Sequence, residues 1–206
     1  KLGTATKEIR NNGELVVVDT EKYGPLEFEA VLHATGRRAN TEGLGLENTD
    51  IELRPNGTIV VDEFCQTAVE NVFAVGDVNG GLQFTYVSLD DFRVVNGYLH
   101  GNKEYTTADR KNVPYSTFIS PALSHVGLHK EEAEAAYPNV AVASLPVANM
   151  PRGAVNQDPR GLFRVTVDKD TNLILGATLF SKNSEEIINI IKMAILPKVI
   201  YRDRKS

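Results

Sequence analysis

The chain has 206 residues, of which 42% are hydrophobic and 24% charged, and this is the composition of an ordinary globular protein with enough length for a sizeable core. Its formal net charge of −5 gives no basic surface for nucleic acid, and its apolar runs are too short to span a bilayer. The sequence therefore predicts neither nucleic acid nor a membrane as a partner.

The cysteine and histidine content argues against a disulfide or metal centre in this chain. Cys65 is the single cysteine, so it forms no intrachain disulfide, and we expect it to be a packing residue. His125 and His129 are four apart, but Gly127 lies between them, so no metal site is predicted. Scarce cysteine and the lack of an apolar signal segment favour a cytoplasmic setting. The start also lacks methionine, and we expect a fragment of a longer protein.

The first 35 residues are typical of β-structure. We predict strands at 5–10, 14–19 and 27–34, with a hairpin turn at Asn11-Asn12-Gly13, because Asn and Gly tolerate positive φ. The third strand becomes apolar toward its end, as does a strand that enters a core. A further short strand is predicted at 58–61.

The segment 71–77 (NVFAVGD) predicts a short buried strand that ends at Gly76 and Asp77. In open α/β sheets, ligands bind beyond the carboxyl ends of the strands. An Asp at that place accepts hydrogen bonds from a sugar or ribityl hydroxyl, while the Gly lets the ligand approach. A strand with a plain Gly-Asp turn is an equal alternative from these residues alone.

A helix is predicted at 85–100, and its first amides would face the same crevice as Asp77 and favour negative charge. An amphipathic helix without a ligand is the alternative. The polar segment 101–112 is interpreted as a linker or an exposed loop at a domain boundary.

The remaining residues predict an antiparallel α+β layer. The Ile-rich last helix is equally consistent with a core element and with a subunit interface. The predicted strands are 114–119, 140–147, 162–167 and 173–180, the helices are 130–136 and one that begins at 183–186 and runs to Ile195, and 149–160 is a loop.

Three segments in this order resemble the flavoprotein pyridine nucleotide-disulfide oxidoreductases, a family that includes glutathione reductase, dihydrolipoamide dehydrogenase and mercuric reductase. Residues 34–40 (ATGRRAN) resemble the family's A-T/I-G-R-x-P-N motif, although Ala39 stands at the usual proline. Residues 67–77 resemble its second FAD motif, and 114–128 resemble the start of its dimerisation domain. Residues 82–91 are similar to a subgroup linked to reactive-chlorine resistance.

The resemblance implies a fold that is α/β and then α+β: a tail of nucleotide-binding domains, with the second half of an FAD domain, followed by an α+β dimerisation domain with an antiparallel sheet. The implied bounds are 1–38 for the end of the NAD(P)-binding domain, 39–111 for the second part of the FAD-binding domain, and 112–206 for the dimerisation domain.

The resemblance also implies which residues bind cofactors. Asp77, next to Gly76, would bind the FAD ribityl chain, and Gly36 would lie close to bound NAD(P)H. The residues along the pyrimidine edge of the flavin would be Gln83, Phe84, Thr85 and Tyr86.

The implied reaction passes a hydride from NAD(P)H to FAD and then electrons to a disulfide, a metal ion or another acceptor, within a homodimer. The family's paired cysteines, its nucleotide-binding glycine motif and its carboxyl-terminal His-Pro pair are absent from these 206 residues. We therefore expect no catalytic residue in the chain and no activity from the chain alone. The alternatives are a non-catalytic dimerisation module and an unrelated α/β domain.

Overall fold

The structure is a computed structural model that describes residues 2–195. The chain contacts divide them into two compact units, one made of the residues up to Val61 together with Gln66–Ser88, and the other of Asp62–Cys65 together with the residues from Leu89 onward. The domain bounds inferred from the sequence remain predictions.

The first unit contains a three-stranded antiparallel sheet in the order β1-β2-β3, with β1 at Thr6–Asn11, β2 at Val16–Thr20 and β3 at Gly24–Phe28. The two strands predicted first are confirmed within two residues, and Gly13 takes a φ of +83° in the turn between them. The β-branched residues of β2 suit the central position, because they pack well on a pleated surface.

The strand predicted at 27–34 is wrong. The third strand ends at Phe28, residues 29–40 form no regular element, and Leu32 is 90% exposed. Apolar residues make a strand only where a neighbouring strand supplies hydrogen-bond partners. None of the described strands pairs with residues 29–34.

The strands predicted at 58–61 and 71–77 are also absent as regular elements. Each segment makes one isolated bridge, Leu53 to Ile59 and Gln66 to Phe73. Ala74 is buried, but Val75 is 43% exposed, and Gly76 turns the chain directly into a 3-10 helix at Gly76–Asn79. The apolar composition therefore predicts the burial of Ala74 correctly but not that of Val75. In the described chain, no continuous ladder of hydrogen bonds pairs these segments into strands.

Helix α1 spans Thr85–Leu99, close to its predicted bounds, and the boundary between the two units falls within it, after Ser88. The segment interpreted as a linker contains a 3-10 turn at Thr107–Asp109. A capping box between Thr106 and Asp109 closes this turn.

The second unit contains a five-stranded antiparallel sheet in the order β4-β5-β8-β7-β6, which confirms the predicted antiparallel α+β layer. Strand β5 and helix α3 were missed, because β5 carries polar residues inside a short run and α3 has only five residues. The elements are β4 Tyr115–Thr117, β5 Leu123–Gly127, α2 Lys130–Ala136, β6 Val140–Pro146, α3 Pro151–Val155, β7 Leu162–Asp168, β8 Ile174–Phe180 and α4 Ser184–Ile195.

Helix α4 packs four of its five isoleucines against the sheet core. Ile188 is 1% exposed and forms the centre of the core with Val126, Ala177 and Leu179. Ile187, Ile191 and Ile195 are partly buried against this cluster. On the same helix Ile190 is 66% exposed and Met193 is 56% exposed, so α4 serves the core with one face and leaves apolar side chains on another.

The start of α4 is tied to the sheet by hydroxyl groups. Backbone N–H groups of Glu186 and Ile187 donate to the carbonyl of Asn183, which makes Asn183 the first capping position. The buried Ser184 hydroxyl donates instead to the Ala122 carbonyl at 2.9 Å and lies 2.9 Å from the Ser124 hydroxyl. Ser184 therefore fixes the start of the helix to the β5 side of the sheet.

Candidate functional site

Gly76 occupies a tight place that favours glycine. It is buried, its φ is +75°, and a Cβ added to it would lie 2.9 Å from the Ser88 hydroxyl oxygen. A left-handed conformation is strained for residues with a Cβ, so both the backbone and the space favour glycine. The segment that carries Asp77 is thus held close to the first turns of α1.

Arg54 stabilises the short 3-10 helix that contains Asp77 by hydrogen bonds. Its guanidinium donates to the backbone carbonyls of Ile59 at 2.9 Å and Asn79 at 2.7 Å. The Asn79 side chain in turn donates to the Ala74 carbonyl at 3.3 Å and accepts from the Gly81 N–H at 3.0 Å. These hydrogen bonds fix both ends of the helix and therefore the position of the Asp77 backbone.

Sequence reasoning missed Arg54 and Asn79. They are 25 residues apart, and no spacing or motif marks them as partners. The one usable signal is the glycine pair that follows Asn79. Gly80 has a φ of +76°, and a Cβ there would lie 2.6 Å from the Thr58 hydroxyl oxygen.

The predicted flavin-edge residues lie at the amino end of α1. Gln83, Thr85 and Tyr86 are exposed, and the rings of Phe84 and Tyr86 stack at a centroid distance of 5.3 Å. The first turn of α1 contains no acidic residue. Its backbone N–H groups and the helix dipole therefore offer an uncompensated positive end, which suits an electron-rich ligand edge.

Gly36 is not packed against the other predicted site residues. It has a φ of +96° in an exposed irregular segment, and a Cβ added there would meet no atom within 4 Å. The structure therefore brings Gly76 and Asp77 together with the start of α1 in the first unit but leaves Gly36 in open space. The cofactor roles of all seven residues remain predictions.

Cys65 is a fully buried packing residue, as expected. Burial, with the nearby Asp91 carboxylate as a second cause, raises the pKa of its thiol to about 12. The thiol is therefore protonated near neutral pH, and it lacks the thiolate character that a nucleophile needs.

His125 and His129 form a stacked pair rather than an open metal site. Their ring centroids are 3.7 Å apart. A carbonyl only accepts, so His125 Nε2 donates to the Gly127 oxygen at 2.9 Å, and Nδ1 accepts from the Thr178 hydroxyl at 2.8 Å. Burial lowers the pKa of His125. Within residues 2–195, no group of three or more His, Cys, Asp or Glu is arranged to hold a metal ion.

Models of known families cover most of the chain. The model for pyridine nucleotide-disulphide oxidoreductases matches residues 1–91, and the model for the dimerisation domain of these enzymes matches residues 113–203. The chain belongs to the pyridine nucleotide-disulphide oxidoreductase family. The family and the fold class inferred from the sequence are thereby confirmed.

Similarity to individual proteins of this family supports this membership. The chain is 43% identical over 206 residues to the probable pyridine nucleotide-disulfide oxidoreductase RclA of Escherichia coli K12, covering 98% of this chain and 46% of that protein. It is 32% identical to a dihydrolipoyl dehydrogenase of Corynebacterium glutamicum, covering 93% and 42%. A mercuric reductase of Lysinibacillus sphaericus is 31% identical, covering 94% and 36%.

A solved structure agrees with the fold. The HOCl-induced flavoprotein disulfide reductase RclA from Escherichia coli superposes with a TM-score of 0.86 at 43% identity, covering 93% of this chain and 44% of that one. The chain therefore spans less than half the length of these relatives. Among residues 2–195, no helix is long and apolar enough to cross a membrane.

Proposed function

We propose that this chain supplies part of the FAD site and the subunit interface of a longer NAD(P)H-dependent oxidoreductase. In that enzyme a hydride passes from NAD(P)H to FAD, and electrons then pass to a disulfide, a metal ion or another acceptor. Members of the family depend on FAD and NAD(P)H, which supports the two cofactors. Because the 206 residues contain one buried cysteine, the chain is inactive alone.

The observation that carries the proposal is the fit of Gly76 and Asp77 against α1. Gly76 keeps the space beside Ser88 free of a side chain, and the hydrogen bonds of Arg54 and Asn79 hold the segment. Asp77 then presents a carboxylate, an acceptor for ribityl hydroxyl groups. The uncompensated amino end of α1, with Gln83, Thr85 and Tyr86 exposed, would lie along the flavin edge.

We also propose that the second unit forms a homodimer. The family model for a dimerisation domain covers 113–203, which supports a subunit-interface role. The exposed pair Ile190 and Met193 on α4 supplies apolar surface suited to an isologous contact.

The single cysteine suits a reducing, cytoplasmic setting. The acceptor is either a small molecule or a metal ion, and relatives named mercuric reductase favour testing metal ions first.

The test is the absorbance spectrum and FAD content of the full-length product, with Asp77→Ala compared against the wild type. Losing a hydrogen-bond acceptor to a ribityl hydroxyl is expected to weaken FAD retention on the order of tenfold. The matched control is Asp50→Ala, an exposed carboxylate in the first unit that lies outside the proposed site. Equal retention by wild type and Asp77→Ala would remove Asp77 from the site.

The second candidate is a dimerisation module without chemistry. It is favoured by the core that the sheet and α4 of the second unit form within the described residues. A native product that is colourless and dimeric would select it. A yellow product that oxidises NADH or NADPH would select the enzyme.

A further inference from the structure

Residues 103–110, which we call the strap, lie across two other parts of the second unit. The backbone N–H of Thr107 donates to the Glu63 carbonyl at 2.9 Å, and its hydroxyl donates to the same oxygen at 3.1 Å. The Lys103 ammonium lies over the Tyr98 ring of α1, 4.4 Å from its centroid. The strap therefore contacts both the loop 62–65 and helix α1.

Arg110 joins the strap to two neighbouring carboxylates of α1. Its Nε donates to Asp90 Oδ2 at 2.6 Å, and its Nη2 lies 2.5 Å from Asp91 Oδ1. The Arg110 side chain is 14% exposed, and the Asp91 side chain is 1% exposed. A pair at this depth is weakly screened by solvent, and removal of one partner leaves an uncompensated buried charge.

Cys65 adjoins these contacts. It is fully buried and interacts with Asp91, the same carboxylate that Arg110 binds. Its neighbour Phe64 packs on Tyr98 with ring centroids 5.2 Å apart. The loop 62–65 is thus held by α1 on one side and by the strap on the other.

The strap is bound by polar and ionic contacts rather than by a core. The buried cluster of the second unit consists of Val126, Ala177, Leu179 and Ile188, and no strap residue belongs to it. Of the strap side chains, Thr106 is buried and Arg110 is nearly so, while Lys103 to Tyr105 are exposed. Segments with few apolar contacts open at lower free energy than the global unfolding of the protein.

We propose that the strap closes over the loop 62–65 and that Arg110 acts as its latch. The closed strap holds this loop against α1 and seals Cys65 from solvent. The strap opens as a unit while the five-stranded sheet stays folded. Asp90 and Asp91, which Arg110 binds, lie in α1, and α1 begins at Thr85. The latch therefore restrains the loop 62–65 within the second unit. Its opening is a local motion of the strap and this loop.

The test uses Cys65 as a built-in probe, because it is the only thiol of the 206-residue chain. Its reaction with Ellman's reagent is followed at increasing urea for the wild type, Arg110→Met and Arg93→Met. Arg93 is the matched control, since it contacts the same Asp90 at 3.9 Å but is 63% exposed. Arg110→Met is expected to speed labelling on the order of 100-fold, and Arg93→Met by less than about twofold.

The urea dependence and a double variant decide between opening and unfolding. Opening of the strap alone exposes little surface, so labelling at low urea should depend weakly on urea. Arg110→Met with Asp91→Asn removes the more deeply buried of the two carboxylate charges that lose their partner, and fast labelling at unchanged global stability supports the latch. Slow, wild-type labelling in that folded double variant overturns it, as does labelling that tracks global unfolding at every urea concentration. No flavin is needed, so the result stands apart from the proposed enzyme role.

Discussion

Gly76 and Ser88 are so close that a single added carbon on the glycine would lie 2.9 Å from the serine hydroxyl oxygen and 3.3 Å from the serine Cβ. The contact joins a tight turn to the second turn of a helix within one compact unit. It is the geometric basis of the proposed flavin site, because it sets how near Asp77 lies to α1.

Gly76→Ala should destabilise the protein by about 2 kcal/mol or more, because strain at positive φ adds to a clash. Gly13→Ala is the matched control: its φ is +83°, but an added Cβ would meet no atom within 4 Å. It should therefore cost only about 1 kcal/mol. Urea unfolding of the three proteins measures both values, and equal losses would show that the contact with Ser88 is unimportant.

Ile188→Ala should lower the free energy of unfolding by about 3 kcal/mol, because it empties part of the core between α4 and the sheet. Ile190→Ala on the same helix removes a side chain that is 66% exposed, and at low protein concentration it should change stability by less than about 0.5 kcal/mol. Chemical denaturation compares the two. Similar losses would contradict the orientation of α4.

Glu substitutions at Ile190 and Met193 should convert a dimer into a monomer. Positions three apart share one helix face, and two buried carboxylates in an apolar contact are costly. The measurement is the molar mass by light scattering across a range of concentrations. Leu32→Glu, which changes another strongly exposed apolar residue in the other unit, is the control and should leave the mass unchanged. A dimer that survives both α4 substitutions places the interface elsewhere.

His125 should make the protein less stable in weak acid. Burial lowers its folded-state pKa below the ordinary value of 6.5, so the unfolded chain binds the proton more readily. Stability from the neutral ring is present above pH 6.5 and is lost as the pH falls below that value. Unfolding free energies at pH 7.5 and pH 5.5 measure the loss. His125→Gln keeps a donor for the Gly127 carbonyl but does not titrate, and it should flatten this pH dependence.

The elements with a strong local pattern were predictable. Helix α4 shows apolar residues at helical spacing, and β7 and β8 are largely apolar segments on either side of a polar turn, so their types and bounds follow from the chain. The segments 29–34 and 71–75 are apolar too, but they form no strand in the described chain. Strand formation depends on a neighbour in space, which local composition does not specify.

The family, with its three ordered motifs, and the antiparallel layer that follows them could be inferred from the chain alone, because motif spacing and periodicity are properties of the chain. The hydrogen bond from Arg54 to Asn79, the ion pairs of Arg110 with Asp90 and Asp91, and the burial of Cys65 beside them emerge only in the folded molecule. These partners lie 19 to 25 residues apart along the chain or on different segments. These pairs form because the chain folds back on itself. A buried charged group is stable only beside a partner, and no local sequence pattern identifies that partner.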